Sequence, residues 1–75
     1  MHFSTWLWEQ LEDPTRVGLF ANLCWDDVNN GCGHSTYNAS RWLEHFQARH
    51  KDRNEYLIGL LSIAYKEYML SLPQK

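Results

Sequence analysis

The side chains best equipped for chemistry in this chain are Cys24, Cys32, His34, His45 and His50. Their spacing decides what they can do. A structural zinc site usually begins with two ligands separated by two to four residues; here C-x7-C is followed by C-x-H, which matches no such pattern. His45 and His50 stand five apart, an interval that turns two rings to different faces of one continuous helix. Neither a metal nor any other cofactor is expected. Cys32 and His34 could pair a thiol with a base, yet a nucleophile also needs an oxyanion-stabilising pocket, for which so small a chain has little room. Asp26 and Asp27 are neighbours on a helix and diverge, so they form no catalytic dyad. The glycines around Cys32 lack the further Gly and Lys-Ser/Thr of a phosphate loop. No catalytic residue is assigned, and the chain reads as a non-enzyme.

Surfaces remain. The formal net charge of -2 argues against a strongly basic nucleic-acid binder. Its distribution is uneven. Residues 1–34 set Glu9, Glu12, Asp13, Asp26 and Asp27 against Arg16, a balance of -4, whereas residues 35–75 set Arg41, Arg49, Lys51, Arg53, Lys66 and Lys75 against Glu44, Asp52, Glu55 and Glu67, a balance of +2. Opposite halves suit contact with another protein, or head-to-tail self-association. Arg41, His45 and Arg49 recur every four residues along one helix edge, and His50, Lys51 and Arg53 continue the run. That edge could hold phosphates, or be a solvated face tempered by Glu44.

The elements that must position these residues all read as helical. A first helix starts near Ser4 or Thr5 as cap and ends near Glu12, because Pro14 disfavours helical geometry at Asp13. A second begins around Thr15, carries Val17, Phe20, Ala21, Cys24 and Val28 at spacings of three and four, and stops at "NNGCG". The third is capped by Asn38, which outweighs the glycosylation reading of Asn38-Ala39-Ser40, and buries Trp42, Leu43 and Phe46. The fourth opens with a capping-box-like Asp52 and Glu55, presents Leu57, Leu60, Leu61, Ala64, Tyr65 and Tyr68, and ends before Pro73. Gly59 inside it would permit a close helix crossing.

The fold class is therefore all-α, a compact four-helix bundle forming a single domain over residues 1–75, with 44% hydrophobic and 15% aromatic residues to build its core. No signal peptide or membrane span is read, and two cysteines are too few for a secreted disulfide framework. Free thiols and a cytoplasmic location are expected, with Cys24 acting as a small hydrophobe.

The segments "FSTWL", "DPTRVGLFANL", "STYNASRWLEHF" and "AYKEY" resemble the YozE-like proteins, small bacterial domains. The similarity spans Phe3 to Tyr68, although Phe20-Ala21 stands where that family usually has Leu-Ala and "NNGCGH" is unusual for its second turn. It implies a SAM-like helical fold and almost nothing about activity. It also bears on Trp6 and Trp8, which point about 200° apart on a helix, so that one core-facing stripe cannot take both. The family's F-x-x-[WY]-L start treats Phe3, Trp6 and Leu7 as core positions, which leaves Trp8 as the exposed ring unless it packs on the edge of the last helix. Trp8 with Glu9, Glu12, Asp26 and Asp27 then forms the candidate protein-binding surface, since large rings concentrate binding energy. The expected function is a non-catalytic, protein-binding adaptor or inhibitor acting by surface occlusion. The alternatives are nucleic-acid binding through Arg41, His45, Arg49, Lys51 and Arg53, and self-association.

Overall fold

Side-chain caps start the two middle helices. The computed structural model describes residues 2–72 and contains α1 (Phe3–Trp8), α2 (Arg16–Asn29), α3 (Ala39–Arg49) and α4 (Asn54–Ser71), with a 3-10 turn at Lys51–Arg53 leading into α4. Thr15 Oγ1 accepts from the Val17 N–H at 3.3 Å, and Asn38 Oδ1 accepts from the Arg41 N–H at 2.9 Å. Each satisfies an orphan amide at a helix start. The described residues form a four-helix, all-α bundle with no strand, and none of their helices is long and apolar enough to cross a membrane.

Helix ends depart from the sequence expectation in three places. The first helix begins at Phe3 with Ser4 inside it, because Ser4 is fully buried and its hydroxyl is used in the core. It ends at Trp8, where the N–H groups of Glu9 and Gln10 turn back onto the carbonyls of Trp6 and Leu7 at 3.0 and 2.9 Å. Such i→i+3 bonds tighten the chain out of the α-helix. The last helix starts at Asn54 with no side-chain cap; the 3-10 turn holding Asp52 precedes it in place of a capping box. The expected stop at Pro73 lies outside the described residues.

The end of α2 follows its sequence signal. Gly31 has φ of 77°, and the N–H groups of Gly31 and Cys32 donate to the carbonyls of Val28 and Asp27 at 3.1 and 2.8 Å. This is a Schellman ending, for which glycine in the left-handed region is the usual solution. At the other end, Asp13 Oδ1 accepts from the hydroxyl and N–H of Thr15, and these two bonds hold its carboxyl below the usual carboxylate range. The turn brings the Asp13 carbonyl onto Gly18, where a Cβ would lie 1.7 Å from that oxygen.

The core is built on rings. Trp42, Phe20, Phe46, Leu7 and Cys24 are sealed from water, with Leu57, Leu60, Leu61 and Ala64 closing it from α4. Trp42 sits among Trp8, Tyr37, His45 and Phe46, with ring centroids 5.1 to 6.2 Å away. Its indole N–H donates to Ser4 Oγ at 2.9 Å, and Ser4 Oγ donates in turn to the Tyr37 carbonyl.

The two tryptophans of α1 flank this core on opposite sides. Trp6 is buried against Phe3 and Tyr68 of α4, at 6.0 and 5.6 Å. Trp8 is not the exposed ring expected: it is half-buried, 4.9 Å from Trp25 and 6.2 Å from Trp42, and its N–H donates to the Ser35 carbonyl at 3.0 Å. A helix of six residues wedged between neighbours has two buried flanks, so residues 200° apart both find partners. Trp25 is also half-buried. Gly59 departs from expectation too, since a Cβ there would meet nothing within 4 Å.

Three glycine-to-alanine changes should therefore separate in urea denaturation. Gly18→Ala forces α2 away from the Asp13 carbonyl and should cost about 3 kcal/mol or more. Gly31→Ala should cost about 1 kcal/mol through its positive φ, while Gly59→Ala should stabilise by up to about 1 kcal/mol. Ser4→Ala should cost about 1–3 kcal/mol because it strands the buried Trp42 N–H.

Candidate functional site

The densest group of polar side chains lies where the end of α2 meets the end of α3. Asp27, in the last turn of α2, points inward, and its Oδ2 stands 2.7 Å from His45 Nε2 and 2.7 Å from His50 Nε2. The three side chains are 15%, 5% and 28% exposed, respectively. An ionised carboxylate can only accept, so both imidazoles donate into one oxygen. His45 is held against Tyr37, Trp42 and Phe46 at 6.1, 5.4 and 5.5 Å, which fixes its ring.

His45 and His50 do meet, against the expectation from their five-residue interval, for a local reason. The third helix ends at Arg49, and His50 takes φ -125° and ψ 55° as its C-cap. Leaving helical geometry swings the second ring back toward the first, so that the centroids lie 5.7 Å apart. Asp27 Oδ and both Nε2 atoms fall within 4.8 Å of one another. Two imidazoles and a carboxylate can orient one another by hydrogen bonds, or share a cation. A cavity of about 120 Å³ borders the group, lined by Leu23, Asp26, Phe46, Arg53 and Leu57 with Asp27 and His50.

This arrangement divides both surfaces expected from sequence. Of the acidic set, Glu9, Glu12 and Asp26 are exposed, whereas Trp8 is half-buried in the aromatic cluster and Asp27 is engaged by the histidines. Asp26 and Asp27 diverge as their adjacency requires. Of the basic set, His45 is withdrawn into the core. Arg41 lies 3.5 Å from Glu44 and 5.4 Å above the Tyr37 ring. Arg49 donates to Cys32 Sγ at 2.9 Å, a contact that raises its already high pKa. Lys51 and Arg53 border a separate depression with Asp52 and Glu55. Arg41, His45 and Arg49 line one depression together with Glu44, so three of the five residues stay side by side.

Neither cysteine is bridged. Burial pushes the Cys24 thiol far up, and the nearby Asp27 charge adds to the effect. Cys32 is half-buried and accepts from Arg49, while His34 Nδ1 is bonded to the Thr36 hydroxyl at 2.7 Å.

Sequence reasoning missed the exposed apolar side chains of α4. Tyr56, Ile63 and Leu70 are 54%, 36% and 62% exposed, and their seven-residue spacing places them on one stripe beside the core face. Ile63 borders a cleft whose lining includes Trp6, Val17, Arg16 and Glu67. The spacing was a readable signal, obscured by a helix that is apolar on several faces.

Native protein treated with a thiol-reactive disulfide reagent should modify Cys32 alone, with Cys24 reacting only in denaturant, as counted by released chromophore. Fast modification of both thiols in the native state would contradict the sealed core. Comparison with protein-family models, curated proteins and solved structures gave no match to this chain.

Proposed function

We propose that this chain is a small non-catalytic module that binds another protein, as an adaptor or as an inhibitor that occludes a larger target's surface. The observation that supports it is the apolar stripe Tyr56–Ile63–Leu70, exposed outside the core on α4, where Tyr65 and Met69 are exposed as well. Large apolar residues aligned along one helix face, of which Ile63 lines a cleft together with Trp6 and Val17, suit an apolar segment of a partner. Arg16, Asp13 and Glu67 at that cleft supply a charged rim. This moves the binding surface from Trp8 to α4, because the Trp8 ring is occupied within the fold. Glu9, Glu12 and Asp26 remain exposed and extend the polar surroundings.

The YozE-like resemblance rests on the short motifs quoted above; it adds an expected SAM-like arrangement and supplies no activity. A cytoplasmic location fits a chain whose two cysteines are free thiols. Nucleic-acid binding has less support, since His45 faces inward and Arg41 and Arg49 each have a partner within the chain.

The double variant Ile63→Glu with Leu70→Glu tests this reading. Its helical circular dichroism should be unchanged and its stability close to wild type, because both residues are exposed. Its affinity for a partner isolated with the wild-type domain, measured with purified components, should fall by about tenfold or more. Undiminished affinity would remove α4 as the surface. Binding that collapses with added salt and is competed by nucleic acid would overturn the protein reading. Sedimentation that shifts with concentration in the wild type alone would identify the partner as a second copy.

A further inference from the structure

We propose that Asp27, His45 and His50 form a binding site for a divalent transition metal, with Zn²⁺ as the reference ion. The inference is independent of the α4 surface. Its basis is convergence: three side chains from the ends of two helices aim their ligating atoms at one point, and those atoms lie within 4.8 Å of one another. Two imidazole nitrogens and a carboxylate oxygen are a borderline donor set. It matches zinc and its first-row neighbours, whereas magnesium and calcium favour oxygen ligands throughout.

The geometry needs little adjustment. Tetrahedral zinc with bonds of about 2.0–2.1 Å separates its ligand atoms by about 3.3 Å. Each histidine now stands 2.7 Å from Asp27 Oδ2, so each pair must open by about 0.6 Å to admit the ion. The partly exposed His50, at the helix cap, is the ligand best placed to give. On binding, each Nε2 gives up its hydrogen for the metal bond: a neutral imidazole takes one up at Nδ1 by exchange with water, and a doubly protonated one keeps its Nδ1 hydrogen and releases the Nε2 proton to solvent. The rings around His45 hold it in one orientation, the service that surrounding side chains provide in metal sites.

Three protein ligands leave a fourth position. The cavity of about 120 Å³ lined by Asp27 and His50 has room for water beside the group. A bound ion would clamp the end of α2 to the end of α3, replacing two hydrogen bonds with three metal bonds.

Calorimetric titration of the full chain with Zn²⁺ in a non-chelating buffer tests the site. One equivalent should bind, and the thermal midpoint should rise by on the order of 10 °C at metal about 100-fold above its dissociation constant. Affinity should fall by about tenfold or more in His50→Ala and in Asp27→Asn, and remain unchanged in His34→Ala, which removes an exposed histidine outside the group. Failure of wild type to bind one equivalent would overturn the proposal, as would undiminished binding in the first two variants. Should those variants unfold, nuclear magnetic resonance of the wild-type histidines decides: Zn²⁺ should shift the ring signals of His45 and His50 and leave those of His2 and His34. Shifts confined to His2 or His34 would place any bound metal elsewhere.

Discussion

The indole N–H of Trp42 is sealed from water, and the fold is arranged so that it does not go unpaired. Ser4 Oγ accepts it at 2.9 Å and passes its own hydrogen to the Tyr37 carbonyl. One short relay thus ties α3 to α1 and both to the loop before α3. A neutral hydrogen bond contributes only about 1 kcal/mol net, but a buried donor without a partner costs more than that. The relay therefore acts mainly as a constraint on position. If Ser4 slid by a residue, the largest core side chain would lose its partner.

That constraint explains why a helix of six residues can persist here when it would not form alone. Its stability comes from being wedged. Phe3 and Trp6 meet Tyr68 on one flank, and Trp8 meets Trp25 and Trp42 on the other, in offset and edge-on contacts that add to simple area burial. The Asp13 carbonyl seated on Gly18 then sets how closely the following turn can approach α2.

Asp27 performs the corresponding service at the opposite end of α2. Its carbonyl accepts the N–H groups of Cys32 and Gly33 at 2.8 and 3.2 Å, ending the helix, while its carboxylate accepts His45 and His50. One residue thereby fixes a loop and the end of α3 together. Arg41 and Arg49 likewise find partners within the chain. Much of the polarity that looked available for a partner is spent inside the fold, while α4 keeps Tyr56, Ile63, Tyr65, Met69 and Leu70 exposed.

Local chemistry made much of the architecture legible in the sequence. Three- and four-residue apolar spacing announced the helices, Thr15 and Asn38 their starts, and Gly31 the end of α2, because capping and periodicity involve only near neighbours along the chain. The same locality set the limit. Whether Trp8 was exposed depended on Trp25 and Ser35 arriving from elsewhere, and the role of Ser4 depended on Trp42, 38 residues away. The meeting of His45 with His50 depended on α3 stopping one residue earlier, and their shared target lies on α2. Residue types could mark the two histidines as chemically able, but their spacing argued against them; only tertiary packing, which sets distances between segments remote in sequence, could bring them to one point with Asp27.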